Sequence, residues 1–251
     1  MFPTLFVSHG SPMTALHPKQ VGDVWRTLGE QLHPQAIIIL SAHWQTHNVE
    51  VCAAERPPTI HDFNGFPQAL YHLQYPAPGD PDLAKNIIDL LTVAKIPAQP
   101  NSSRGFDHGV WVPLMHMFPQ ATIPVVQISL PYTASSKDVW KIGKALTPLR
   151  KTCLIIGSGS ITHNLGDWGK YTEEEPAPYV QPFVSWVVKT LESKSDDLFE
   201  YHKAPGAVQA HPTAEHLLPL FFAWGASTGK IIHRPMEIDL GFLAMDVFEF
   251  D

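Results

Sequence analysis

The 251-residue chain is long enough to bury a sizeable core, and its 44% hydrophobic and 16% charged residues give no signature of disorder. A formal net charge of -7, with no Lys/Arg cluster, argues against a nucleic-acid partner. No apolar run is long enough to cross a bilayer and the N-terminus has no basic segment before its short apolar run, so a soluble cytoplasmic protein is expected.

Leu5, Phe6 and Val7 read as a short buried strand that stops at Ser8-His9-Gly10-Ser11-Pro12. His9 therefore stands at the carboxyl end of a strand, the edge at which open α/β sheets bind ligands, beside a glycine that permits a sharp turn or a close approach. Lys19 to Leu32 has an amphipathic helical pattern through Val21, Val24, Trp25 and Leu28, closed by His33-Pro34. Ala36 to Leu40 is a continuous apolar run of the kind covered on both sheet faces, and it ends in Ser41-Ala42-His43-Trp44, a second histidine at a strand end. Val49 to Ala54 is a further strand. Cys52 within it and Cys153 later in the chain read as core thiols rather than a disulfide or a metal pair.

Pro57 to Gly79 is a long Pro/Gly/aromatic stretch, and a segment of that length without regular structure is usually functional. It contains His61-Asp62 beside Phe63 and Phe66, a setting suited to a planar ligand. Asp80 is placed to cap a helix from Pro81 to Leu91. Arg104 to Gly109 is a loop leading into an apolar helix, Val110 to Phe118. Taken alone, Asp107 reads as the cap of that helix and His108 as a surface histidine, with an acid–base pair as the alternative. Ile123 to Leu130 is a strand, and Ser135 or Ser136 begins a helix running to about Leu149.

Thr152 to Ile156 is a strand opening into Gly157-Ser158-Gly159-Ser160, which lacks the Lys-Ser/Thr ending of a phosphate loop and the third glycine of a dinucleotide fingerprint. It is read as a mobile turn. His163 follows, a third histidine just past a strand end. Tyr179 to Leu191 is helical. Another helix is expected after His211-Pro212, with Thr213 as its N-cap and His216 in its first turns, and Met236 to Phe250 closes the chain as extended structure. The alternation of strands and helices predicts a single α/β domain over residues 1–251, with a largely parallel central sheet flanked by helices.

Strand ends on one sheet edge bring their side chains together, and neutral imidazoles at close range are common ligands for zinc that also suit Fe(II). His9, His43, His163 and His216 are the candidates. Their spacings are too long for a local motif, so four unrelated core histidines are the plain alternative. No G-x-S-x-G elbow is present for a serine hydrolase.

Assembled, these stretches resemble the class III extradiol ring-cleavage dioxygenases, most closely the branch that contains the bacterial and plant 4,5-DOPA extradiol dioxygenases. The matching segments are Ser8-His9-Gly10-Ser11-Pro12-Met13, Ser41-Ala42-His43-Trp44, Thr59-Ile60-His61-Asp62-Phe63, Gly65-Phe66-Pro67-Gln68-Ala69-Leu70-Tyr71, Tyr75-Pro76-Ala77-Pro78-Gly79, Gly105-Phe106-Asp107-His108-Gly109, His163-Asn164-Leu165 and Pro212-Thr213-Ala214-Glu215-His216-Leu217-Leu218-Pro219-Leu220.

The resemblance implies one divalent metal per chain at a sheet edge, Fe(II) for oxygenase activity or Zn(II) as isolated. It implies His9, His43 and His216 as ligands, with His163 as the acid–base catalyst and a further group near the metal. His108, His61 and Phe63 are implied in the substrate pocket, His108 also as a catalytic group. The expected partners are a small aromatic diol and molecular oxygen, with neither nucleic acid nor membrane. Relatives that cleave protocatechuate place a carboxylate at the third ligand position. Here His216 stands there with Glu215 before it, and neighbours on a helix point about 100° apart, so only one is expected to face the ion. A zinc hydrolase on the same residues, with His163 as base, and a non-catalytic metal-binding interaction protein are the alternatives.

Overall fold

The β-branched and leucine-rich runs form the middle of a mixed sheet. The computed structural model describes residues 1–251. Its strands are β1 (Thr4–Ser8), β2 (Ala36–Thr46), β3 (Val49–Cys52), β4 (Ala98–Asn101), β5 (Val125–Pro131), β6 (Cys153–Gly159), β7 (Ile231–Arg234), β8 (Ile238–Asp239), β9 (Leu243–Ala244) and β10 (Val247–Phe250). Eight of them make one sheet in the order β4-β3-β5-β2-β6-β1-β10-β7, while β8 and β9 pair separately. The central four, β5, β2, β6 and β1, are mutually parallel, and β10 and β7 close one side antiparallel. Ile37 to Leu40 are wholly buried, as expected of a strand covered on both faces. In register, Ser41 lies beside Ser158 and Ser8 beside Gly159, so the carboxyl ends of β1, β2 and β6 reach the same edge together.

The helices are α1 (Lys19–Gln31), α2 (Gln68–Tyr71), α3 (Pro81–Val93), α4 (His108–Met117), α5 (Ser136–Ala145), α6 (Val180–Glu192), α7 (Ala207–Ala210) and α8 (Leu218–Ala226). Asp80 Oδ1 accepts from Leu83 N at 2.8 Å, capping α3, and Ser135 forms a capping box with Asp138 at the start of α5. Side chains alternate along β6, which places α4 and α8 on opposite sheet faces. Ser158 reaches the Gly109 carbonyl in α4, while a Cβ on Gly157 would lie 2.0 Å from the Pro219 carbonyl oxygen in α8.

Three expectations about elements change, and two strands appear that the pattern does not announce. Gly157-Ser158-Gly159 is not a mobile turn but the fully buried end of β6, and its glycines are there because the chain around α8 presses against them. The last helix before the C-terminal strands starts at Leu218 rather than at Thr213, whose hydroxyl donates to Glu215, so His216 lies ahead of the helix and not within it. The helix expected to reach Leu149 ends at Ala145 and continues as a 3-10 turn, Thr147–Lys151, with Pro148 at its start. Finally, β4 and β7 are short strands that the pattern conceals, since β4 reads Ala98-Gln99-Pro100-Asn101 and sits at the sheet edge where proline is tolerated.

Candidate metal centre and its pocket

Each site histidine is delivered by a separate device. His9 follows β1, and the next residue, Gly10, has φ +66°; a Cβ there would meet Met245 Cε and Thr14 Oγ1, each at 2.7 Å. His43 lies in the irregular end of β2, where the pairing with β5 shifts register between Leu40 and Gln45. His108 is the first residue of α4, and His163 follows β6, tied by its N–H to the Ala210 carbonyl at 2.8 Å. His216 comes close because its carbonyl oxygen would lie 2.0 Å from a Cβ on Gly159, and it accepts from Ser160 N at 2.8 Å.

The Nε2 atoms of His9 and His43 stand 3.0 Å apart, and those of His43 and His216 stand 3.3 Å apart. The opposite ring nitrogens show which ones carry protons. Ser158 donates its hydroxyl proton to the Gly109 carbonyl, so its oxygen accepts from His9 Nδ1 at 3.0 Å. His216 Nδ1 donates to the Glu215 carboxylate at 3.1 Å, and His43 Nδ1 faces Asp62 Oδ2 at 3.6 Å. With protons on all three Nδ1 atoms, the neutral rings turn unprotonated Nε2 lone pairs toward one another. Three converging lone pairs repel unless a cation lies between them. Nitrogen ligands about 2.0–2.1 Å from one ion, at angles from a right angle to tetrahedral, stand about 2.8–3.4 Å apart. The donor set therefore fits a divalent metal, and each imidazole has the outer acceptor that such ligands ordinarily have.

Electrostatics keeps the rings neutral. Burial, with His43 and His108 next, drives His9 well below the ordinary histidine range; burial and His163 do the same to His216. Burial and the nearby His108 push His43 down to about 3, against the pull of Asp62 and Glu215. His163 is lowered to about 4, by burial and then by His43. Burial opposes ionisation of Asp62, yet its hydrogen bond from His108 and the charges of His108 and His43 hold that carboxyl below the usual carboxylate range.

A cavity of about 610 Å³ opens over these groups, larger than the other sizeable hollows of the molecule. Its walls include His163, His108, Asp62 and Phe63, with Leu165 and Trp168 at the mouth, 57% and 55% exposed. His163 lies flat on His216, ring centroids 3.4 Å apart and planes 6° from parallel. His108 is buried rather than on the surface, its Nδ1 donating to Asp62 Oδ1 at 3.0 Å. Asp107 stands at the N-cap position, but its side chain makes no capping bond and turns inward instead. His61 is outside the cavity wall, donating from Nε2 to the Leu73 carbonyl at 3.0 Å and packing on Trp111. The ligand atoms of His9, His43 and His108 lie within 4.8 Å of one another, as do those of His163, Glu215 and His216. The close approach of His43 to His216 joins the two groups.

The catalytic LigB subunit of aromatic ring-opening dioxygenase, as a family, matches residues 3–242. The chain belongs to the LigB family. Among its LigB-like relatives, the 4,5-DOPA dioxygenase extradiol of Escherichia coli strain K12 is 40% identical, over 97% of this chain and 92% of its own. The 4,5-DOPA dioxygenase extradiol of Beta vulgaris is 39% identical, over 98% and 96%. A crystal structure of an uncharacterized Escherichia coli K12 protein superposes with a TM-score of 0.81 at 31% identity, covering both chains fully. This LigB-family chain is an extradiol ring-cleavage dioxygenase with a histidine and glutamate cluster able to hold a metal, and no helix in it is long and apolar enough to cross a membrane.

Sequence reasoning passed over several residues of this LigB-family site. Helical geometry turns Glu215 away from the ion, and in the structure, outside a helix, it meets His216 Nδ1 on the far side of the ring. Ser158 was hidden in a glycine-rich run. Leu165 stands in the matching segment His163-Asn164-Leu165 with no role of its own assigned, and Trp168 carries no signal beyond being an apolar residue in a polar loop.

Proposed function

We propose that this dioxygenase opens the ring of a catechol with a DOPA-like side chain, with Fe(II) held by His9, His43 and His216. The observation that carries the reading is the convergence of three Nε2 lone pairs beneath a cavity walled by Phe63 and His108. When bound, the cation supplies Lewis acidity to the two catechol oxygens and, as Fe(II), redox access to dioxygen, which Zn²⁺ lacks.

The protein's own groups do the rest. Phe63, perpendicular to His108 with ring centroids 5.8 Å apart, offers an aromatic wall for the substrate ring. His163 is neutral at working pH and would accept the second hydroxyl proton; negative charge on the substrate oxygen beside it would make it a better base than it is in the empty cavity. His108 lines the cavity with its Nδ1 donating to Asp62, and in its doubly protonated form its Nε2–H would donate to charge developing on oxygen. His163 returns its proton as the ring opens. One catechol and one O₂ give one product: the bond between a hydroxylated carbon and its unhydroxylated neighbour breaks, both oxygen atoms are retained, and no external reductant is consumed.

The test is to load the protein with Fe(II) anaerobically, add DOPA in air and follow both oxygen uptake and absorbance. A yellow ring-fission product with one O₂ consumed per catechol supports the reading. Loaded protein that consumes no oxygen with any catechol contradicts it.

A further inference from the structure

The irregular end of β2 takes His43 out of the regular ladder, so its main-chain groups need partners elsewhere. Its N–H donates to Ser41 Oγ at 3.2 Å, and Ser41 Oγ donates to Asp107 Oδ1 at 2.7 Å. From the other side, Arg104 Nη2 donates to the His43 carbonyl at 3.4 Å and to Asp107 Oδ2 at 2.7 Å. Asp107 has no exposed surface and takes a further N–H from Gln127. Both main-chain groups of His43 thus lead to one buried carboxylate.

The residue after Asp107 is His108. The next, Gly109, gives its carbonyl to the Ser158 hydroxyl, which accepts from His9 Nδ1. Gly109 also admits the close packing of this corner, since a Cβ would lie 2.4 Å from Ser41 Oγ and 3.2 Å from His43 Cδ2.

We propose that the turn Asp107-His108-Gly109 at the start of α4 sets the spacing of the site imidazoles, with Asp107, Ser41 and Ser158 as positioning residues. Asp107 fixes His43 through Ser41 and Arg104, Gly109 fixes His9 through Ser158, and His108 stands between them. The proposal rests on the reading that His9, His43 and His216 grip one cation. A buried, fully bonded carboxylate adds little net stability over apolar residues of the same volume. What it does supply is a fixed relation between β2 and α4, and outer partners of metal ligands govern affinity as well as orientation.

Co²⁺ serves as the probe, with affinity read by competition against a chelator and ligand geometry read from the visible absorption bands. The variants are S41A, S158A and D107N, with S129A as control. Ser129 is equally buried and bonded to Thr46 Oγ1 and Glu50 N, but has no tie to an imidazole. S41A and S158A are each expected to weaken Co²⁺ binding about 10–100-fold and to shift the bands, while S129A does neither. D107N is expected to lose at least as much as S41A; if it does not fold, S41A and S158A decide alone. Parent-like affinity and bands in S41A and S158A, or an equal loss in S129A, would overturn the proposal. A parent protein that binds no Co²⁺ would instead overturn the metal-site reading beneath it.

Discussion

The buried neutral histidines make stability depend on pH in a direction that can be worked out. His211 is the cleanest case because it lies outside the ligand set. Its Nε2 donates to the Ile161 carbonyl at 2.7 Å, its Nδ1 is buried without a partner, and burial lowers it from 6.5 to about 4. The unfolded chain therefore takes up this proton first. Stability is full above about pH 6.5, falls as pH drops toward about 4 and levels off below. At about pH 5 the loss for one such group is about 2 kcal/mol. His43 and His163 are displaced in the same sense, so metal-free protein loses several kcal/mol out of the usual 5–15 kcal/mol. The assay is urea unfolding of metal-free protein, followed by circular dichroism from about pH 8 to about pH 5. The variant H211Q keeps a donor toward Ile161 but removes the titrating ring, and should lose about 2 kcal/mol less than the parent over that range. A parent whose stability is flat across the range, or an H211Q variant with the same pH slope as the parent, would refute the reasoning.

Three further outcomes are expected. H163A should lose turnover while keeping bound metal at reduced occupancy; equal rates in variant and parent would remove His163 from the mechanism. Protein loaded with Zn²⁺ should bind a catechol yet consume no oxygen, and exchange to Fe(II) should restore uptake, as an oxygen electrode would register. E215Q exchanges the carboxylate accepting from His216 Nδ1 for a neutral amide and should weaken metal binding about 10–100-fold, measured by chelator competition, with the unfolding midpoint of metal-free protein little changed.

The central sheet and the histidine edge were legible because buried parallel strands advertise themselves. Ile37-Ile38-Ile39-Leu40 has no other use; His9 comes directly after β1, and His163 a few residues beyond the end of β6. Glu215 and Ser158 were not legible, for a shared reason. Their roles depend on what stands across the fold, and Ser158 meets His9 only because β1 and β6 are neighbours in register. The Asp107 cap was a fair local inference that tertiary context displaced: three side-chain donors outcompete the free amides of α4. Thr213 misled in the same way, since the pattern signals that a helix is coming and Pro219, not the threonine, marks where it begins. The short edge strands β4 and β7 lack the apolar alternation that a sequence reading needs.

The central claim is that three imidazoles distant in sequence hold one ion. Metal titration of the parent and of H9A, H43A and H216A by calorimetry tests it most directly. One divalent cation per chain in the parent, with binding lost in each single variant, is the expected result. A variant that keeps the parent's stoichiometry and affinity would contradict it.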